Sequence, residues 1–398
     1  MEKVTGSEKG TGREKVRLGI IGYGNMGSGH AKNILAGRTP DIELAAIADV
    51  SPARRDAARS AAPGSARILG DGGELIESGL CDAVLIAVPH YQHPPLAIKA
   101  FGAGLHVMCE KPAGVYTKQV REMNAAAAAH PELAFGMMFN QRTNPVYGKM
   151  REMAAGGGFG AIKRVNWIVT DWYRTQSYYD SGAWRATWNG EGGGVLLNQC
   201  PHNLDLLQWI CGMPSKMRAF CHNGKWHDIE VEDDVTAYFE YPNGATGVFV
   251  TSTADAPGTN RFEITLERAK IVSENGSLAL WELEVSEREF CRAEANGFAK
   301  PPMRERAVGA DGEGEGHVGI LNAFAENILR GEPLVADGSE GINGLTLSNA
   351  MHLSSWLDRA VDIPFDEELF LSELNKRRAA SRNKDRVSEA TFDTEGTY

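Results

Sequence analysis

Residues 16–30 read VRLGIIGYGNMGSGH. The β-branched run 16–21 predicts a strand, and 26–36 predicts a helix. Gly22, Gly24 and Gly27 thus form G-x-G-x-x-G directly after a strand and at the opening of a helix. Gly22 permits the tight turn, Gly24 lets backbone approach a pyrophosphate, and Gly27 allows close helix–strand packing. The helix start, at Asn25 and Met26, offers free N–H groups and a positive dipole end to phosphates. The next apolar run, 42–49, ends in Asp49, about 20 residues past the last glycine, where a carboxylate can bond an adenosine ribose 2′-hydroxyl. Strand, glycines, helix, strand and acid in this order predict a dinucleotide site. Asp49 would repel a 2′-phosphate, so NAD is favoured over NADP. Arg54 and Arg55 follow closely and could reach such a phosphate, but read first as solvated charges on a helix.

The alternation continues outward. A helix is predicted over 52–62, an apolar strand over 83–88 stopped by Pro89, a helix over 95–103, a strand over 106–109, a helix over 117–130 and a strand over 133–139. Continuous apolar strands separated by helices imply a parallel sheet covered on both faces, a doubly wound α/β Rossmann domain over 16–143. Val88, Pro89 and His93 sit just past a strand end, where the cofactor would lie. Beyond 144 the pattern changes. After a helix over 146–155 come alternating segments at 162–170, 216–222, 235–241, 246–252, 262–267 and 277–281. Hairpin signals occur at Pro242-Asn243-Gly244 and Asn275-Gly276. This predicts a second α/β domain, 144–365, with a large, mostly antiparallel, open-faced sheet. A helix over 195–211 lies inside it, and others over 318–329 and 345–360 follow. Residues 293–316 read as a mobile loop, 1–15 as a flexible leader and 366–398 as a charged arm.

A chain of 398 residues fits two or three domains of ~100–200 residues. Its net charge of −11, with no basic cluster, argues against nucleic acid and anionic membranes as partners. No apolar run approaches the ~20 residues a membrane helix needs. The six cysteines are scattered, with no Cys-x-x-Cys pair and no zinc-site spacing. They read as free thiols in a reducing cytoplasm, with no metal implied.

Two further motifs point to chemistry. Glu110-Lys111-Pro112 follows the strand 106–109, at the edge of an open parallel sheet where ligands bind. A lysine there points toward the nicotinamide crevice. Residues 192–205 read GGGVLLNQCPHNLD. On a helix, Asn198, His202 and Asp205 would share a face at i,i+4 and i,i+3 steps. Pro201 removes one hydrogen bond, so that helix starts late or kinks. Just upstream, Trp167, Trp172, Tyr173, Tyr178, Tyr179, Trp184 and Trp188 are interleaved with Arg174, Asp180 and Arg185. Part of this set is core or interface. The remainder suits a pyranose, whose C–H face stacks while its hydroxyls bond. A wall with two arginines favours a neutral sugar over a phosphorylated one. Asn140, Arg142 and Asn144 fall where the domains meet and are candidate cofactor or substrate contacts.

Together, the glycine fingerprint, Glu-Lys-Pro and the Gly-Gly-Gly…His-x-x-Asp segment resemble the glucose–fructose oxidoreductase / inositol dehydrogenase / MocA (Gfo/Idh/MocA) family. The resemblance implies a Rossmann domain followed by an open-faced α/β domain, self-association as homodimer or homotetramer, and transfer of hydride between nicotinamide and a sugar or cyclitol carbon. Lys111 matches the family's active-site lysine and His202 its active-site histidine. The family often has an aspartate where this chain has Asn198, and an amide carries no proton. More of the acid–base work therefore falls to His202 and Lys111. Histidine, with a reference pKa near 6.5, suits a general acid/base, and Lys111 a donor to the reacting oxygen, although the roles could be exchanged. A ring secondary hydroxyl is the expected site of oxidation, with C3 of a glucoside first. A glycoside-cleaving enzyme using transient oxidation and a non-catalytic NAD-dependent sensor are the alternatives.

Overall fold

The computed structural model describes residues 14–62, 64–310, 312–382 and 384. Most of the predicted leader and the end of the predicted arm lie outside them. The first domain is a six-stranded parallel sheet in the order β3-β2-β1-β4-β5-β6. Its strands are β1 (Val16–Ile21), β2 (Ile42–Ala48), β3 (Arg67–Leu69), β4 (Ala83–Ile86), β5 (His106–Cys109) and β6 (Phe135–Met137). Helices α1 (Asn25–Leu35), α2 (Pro52–Ala61), α3 (Gly72–Glu77), α4 (His93–Gly102) and α5 (Thr117–Ala128) connect them. The order reverses between β1 and β4, which opens a crevice at their carboxyl ends. The glycine turn sits there because only glycine fits. Gly22 has φ of 95°, and a Cβ on Gly27 would stand 1.9 Å from the Gly22 carbonyl oxygen. Two short elements, β3 and α3, escaped the periodicity argument, being three and six residues long.

The second domain follows α6 (Pro145–Ala155) and holds the short α7 (Gln176–Asp180). Its strands are β7 (Ile162–Val169), β8 (Lys216–Asn223), β9 (Glu232–Glu240), β10 (Thr246–Ser252), β11 (Asn260–Leu266), β12 (Ala269–Glu274), β13 (Ser277–Leu283), β14 (Met303–Ala307) and β15 (Val361–Asp362). They form one nine-stranded sheet, antiparallel except where β7 runs parallel to β10. One face packs on α8 (Pro201–Cys211) and α11 (Gly341–Leu357). On the other, Phe220, Thr236, Val250 and Ile168 line up across β8, β9, β10 and β7 by register, with Phe220 50% exposed and Ile168 41%. The predicted loop 293–316 is corrected in part. Residues 303–307 pair with β13, after α9 (Glu287–Ala293), because the partner strand lies two dozen residues away and supplies a ladder that composition does not announce.

The predicted arm is also corrected. Its first part is α12 (Glu367–Ala380), capped by Asp366 and packed through buried Phe370 and Leu374. Phe370 stacks on Trp356 with centroids 5.2 Å apart. A further helix, α10 (Gly316–Arg330), returns to the first domain. Its Ile320, Leu321, Phe324 and Ala325 share a core with Leu18, Ile20, Leu85 and Met108. Just beyond it the Met137 N–H donates to the Ala336 carbonyl, and Gly136 bridges Asp337.

Candidate active site

The crevice deepens into a cleft of about 900 Å³ between the two domains. At one end lie Gly22, Gly24, Asn25, Met26, Asp49 and Arg54. Val88, Pro89, His93 and Glu110 line the middle, and Lys111, Trp172, Arg174, Tyr178, Trp184, Arg185, Asn198, Gln199 and His202 the far end. Gly27 packs beneath the turn rather than facing the cleft, as its close approach to Gly22 requires.

The first end fits a dinucleotide. No atom lies within 4 Å of where a Gly24 side chain would begin, so the space over the start of α1 is open. Asp49 is held at the end of β2, accepting the Tyr23 N–H at 2.7 Å and the Ser51 N–H at 2.8 Å. Of the two arginines read as solvated, Arg55 instead bonds the Asp49 and Val50 carbonyls, and Arg54 faces the cleft. His93 does more than line it. Its ring nitrogens lie 2.7 Å from the Val88 and Pro112 carbonyl oxygens, tying the end of β4 to the Glu-Lys-Pro turn.

Lys111 and His202 converge at the far end. Lys111 Nζ donates to the backbone carbonyl of Asn198 at 3.1 Å. Burial pushes its ammonium below the ordinary lysine value, opposed by Glu110 and aided by Arg185 and Arg174. Burial likewise pushes His202 well below the usual imidazole range, with Lys111 and His317 adding to it. An imidazole so held is neutral at neutral pH.

The segment before His202 differs from the helix expected over 195–211. Residues 195–200 form turns, and α8 starts at Pro201, whose missing N–H costs nothing at a first helical position. The turn is organised from outside. Glu232, fully buried, accepts the Gly194 N–H at 2.8 Å and the Leu196 N–H at 3.0 Å, and pairs with His352 at 3.0 Å. Asn198 therefore precedes the helix, and its amide is already engaged. It accepts the Tyr178 hydroxyl at 3.0 Å and donates to Glu191. Tyr178 in turn accepts from Arg185 at 2.9 Å and Gln199 at 3.1 Å. The guanidinium of Arg185 sits 4.6 Å from the Tyr178 ring centroid and 4.7 Å from that of Trp184. Gln199 and Glu191 carried no sequence signal; only the fold gathers them.

Six expected contacts point elsewhere. Asp205 is buried away from the cleft lining, in a two-bond pair with Arg142 at 2.7 and 2.8 Å. Arg142 also meets Glu340 at 2.5 Å, so its charge is spent joining the domains. Tyr179 is buried with its hydroxyl on Thr253 at 2.7 Å, and Tyr173 is 51% exposed outside the cleft. Asn140 is buried and off the cleft lining, while Asn144 caps α6 through the Val146 N–H. In each case residue type and spacing suited a contact, but side-chain direction is set by packing from distant elements.

Comparison with known proteins follows the same division. Residues 16–136 match an oxidoreductase family with an NAD-binding Rossmann fold, and residues 147–272 match the GFO/IDH/MocA C-terminal domain. An inositol 2-dehydrogenase of Rhizobium meliloti (strain 1021) is 23% identical over 342 residues, 84% of this chain and 95% of that protein. The rhizopine catabolism protein MocA of Rhizobium meliloti is 28% identical over 206 residues, 52% of this chain and 60% of that protein. The WlbA dehydrogenase from Bordetella pertussis, solved in complex with NADH and UDP-GlcNAcA, superposes with a TM-score of 0.75 at 26% identity, covering 89% of this chain and 99% of that one.

Proposed function

This chain belongs to the Gfo/Idh/MocA oxidoreductase family, with an NAD-binding Rossmann domain, and on that premise we propose that it oxidises or reduces a ring secondary hydroxyl of a sugar, glycoside or cyclitol. C3 of a glucoside is the first position to test. The observation that carries this reading is the placement of Lys111 and His202 together at the end of the cleft remote from Asp49. NAD held along Gly24, Asn25 and Asp49 would supply the hydride acceptor or donor. In the oxidative direction, neutral His202 takes the hydroxyl proton. The Lys111 ammonium, anchored on the Asn198 carbonyl, directs its remaining N–H bonds to the same oxygen and stabilises its developing charge. Trp172 and Trp184 offer faces for the sugar, and Tyr178 and Arg185 offer hydroxyl partners. The uncovered row Phe220–Thr236–Val250–Ile168 suits self-association as a homodimer or homotetramer. All six cysteines are free, which fits a reducing cytoplasm. No helix among the described residues is long and apolar enough to cross a membrane.

The experiment is an NADH-fluorescence screen over matched substrates: glucose, glucose 6-phosphate, methyl and aryl glucosides, and inositols, with mass spectrometry of the products. A 3-keto glycoside supports the reading. A released aglycone without net NADH identifies transient oxidation instead. Tight NAD binding with no turnover on the whole panel would point to a sensor. A roughly tenfold preference for the phosphorylated sugar, about 1.4 kcal/mol in transition-state binding, would overturn the neutral-substrate part.

A further inference from the structure

We propose that Glu110 and His30 are a positioning pair for Lys111, with the Glu110 carboxylate holding the lysine from below rather than serving the cofactor. Glu110 lines the cleft, yet its side chain is only 5% exposed and both oxygens are engaged. Oε1 lies 2.7 Å from His30 Nε2, and Oε2 accepts the Lys111 backbone N–H at 3.1 Å. A carboxylate only accepts, so the proton of the short bond sits on His30 Nε2. His30 is 1% exposed on α1, and Nδ1 has no hydrogen-bond partner among the described residues. His317, from α10, meets the His30 ring edge-on with centroids 5.3 Å apart and closes the pocket from the other domain. Three elements thus converge on one buried carboxylate directly beneath the active-site lysine. Two of the carboxylate's lone pairs are thus committed to donors of the protein itself.

The charge has a direction. Burial pushes the Glu110 carboxyl up, but the hydrogen bond and charge of His30, with His317 and Lys111, outweigh it and hold it at about 2. Glu110 is therefore anionic throughout the working range. It favours the ammonium of Lys111 against burial and against Arg174 and Arg185 on the facing wall, with buried Glu191 helping. His202 from α8, His90 just before α4, His93 at its start, and His317 from α10 also face Lys111, each pushed toward its neutral form, as does the Cys200 thiol, which burial pushes up. Glu110 is the anion adjoining Lys111 in the chain, so its loss removes the main support for a charged lysine.

The inference rests on the proposed role of Lys111 at the reacting carbon, but its test needs no substrate. Competitive labelling of the full-length protein with acetic anhydride across pH, read by peptide mass spectrometry, gives the midpoint at which the Lys111 amine becomes reactive. Glu110→Gln keeps the shape and one of the two acceptor oxygens but not the charge. It should lower that midpoint by about one pH unit while NAD affinity stays within about threefold. His30→Phe should lower it as well, and His30→Gln, which keeps a donor, should restore it. With a substrate in hand, the alkaline limb of the kcat profile should move down by the same amount in Glu110→Gln. An unchanged Lys111 midpoint in Glu110→Gln overturns the proposal. So does a tenfold or greater loss of NAD affinity with the midpoint unmoved, which would make Glu110 a cofactor ligand. Because NAD titration and labelling both work without turnover, a wrong substrate class leaves this result intact.

Discussion

Lys111 Nζ, carried by the first domain, bonds the backbone carbonyl of Asn198, carried by the second, at 3.1 Å. The lysine proposed for catalysis is thereby oriented across the domain boundary by a main-chain oxygen that no substitution at 198 removes. Lys111→Ala should lower turnover by ~10²–10⁴-fold and leave NAD affinity nearly unchanged. Steady-state rates beside a fluorescence titration with NAD will check this, and near-normal turnover would displace the proposed site.

Asn198→Ala should behave differently from a loss of Lys111. It frees the Tyr178 hydroxyl and leaves the Glu191 carboxyl, which burial already pushes up, with one oxygen still on the Ala186 N–H and the other without its amide donor. Tyr178→Phe removes only the hydroxyl and its bonds to Asn198, Arg185 and Gln199. Its effect should appear mainly as a KM increase of about three- to thirtyfold, for a lost set of hydrogen bonds to polar neighbours. A pure kcat loss in Tyr178→Phe would instead make the phenol a participant in the chemistry.

Cofactor choice should follow Asp49. Its fixed carboxylate would face a 2′-phosphate on a cofactor held along the glycine turn, so NAD should bind more tightly than NADP, and Asp49→Ala should narrow the gap. Arg54 on the same rim would partly offset the repulsion. Equal affinities for the two cofactors in the unmutated protein would refute the assignment.

Asp205→Ala should leave Arg142 buried and half-paired, costing about 3–5 kcal/mol of stability. Urea denaturation measures it. A loss below about 1 kcal/mol would show that Glu340 alone satisfies the guanidinium.

Stability should fall on mild acidification. Burial pushes His90 and His202 well below the usual imidazole range, lowers His93 and His106, and brings His317 to about 4. The unfolded chain binds protons on these rings near pH 6.5, where the folded chain does not. Their contribution is therefore full above about pH 6.5 and drains away as the pH drops toward 4. The slope reaches ~1.4 kcal/mol per pH unit for each ring whose protonation differs between the states. Urea melts from pH 7.5 to 5 should show the decline, and His90→Gln should flatten it. A pH-independent midpoint would contradict the buried neutral rings.

The glycine turn, Asp49 and Lys111 were legible in the sequence because each is a local demand. A positive φ, a close backbone approach and a strand end are written in a few consecutive residues. Asp205 was misplaced because helical spacing groups side chains without saying which side meets the cleft, and Arg142 took it inward. The Tyr178–Asn198–Glu191 chain was illegible for a related reason. Its members are brought together by a turn that Glu232, on another strand, holds from behind. Residues 303–307 looked like a loop because their pairing partner, β13, is not written in their own composition.

The packing of α10 against β1 and its neighbours has a consequence for how the protein is made. The first sheet is assembled from residues up to Met137, but part of its core, from Ile320 to Ala325, and the hydrogen bond to Ala336 come from about 200 residues later. At ~5–20 residues per second on the ribosome, the nascent sheet waits roughly 10–40 s with apolar surface uncovered. Residues 16–143 produced alone would carry that surface permanently, so the nucleotide-binding half should be insoluble or chaperone-bound as a fragment, and soluble when residues 316–337 are supplied.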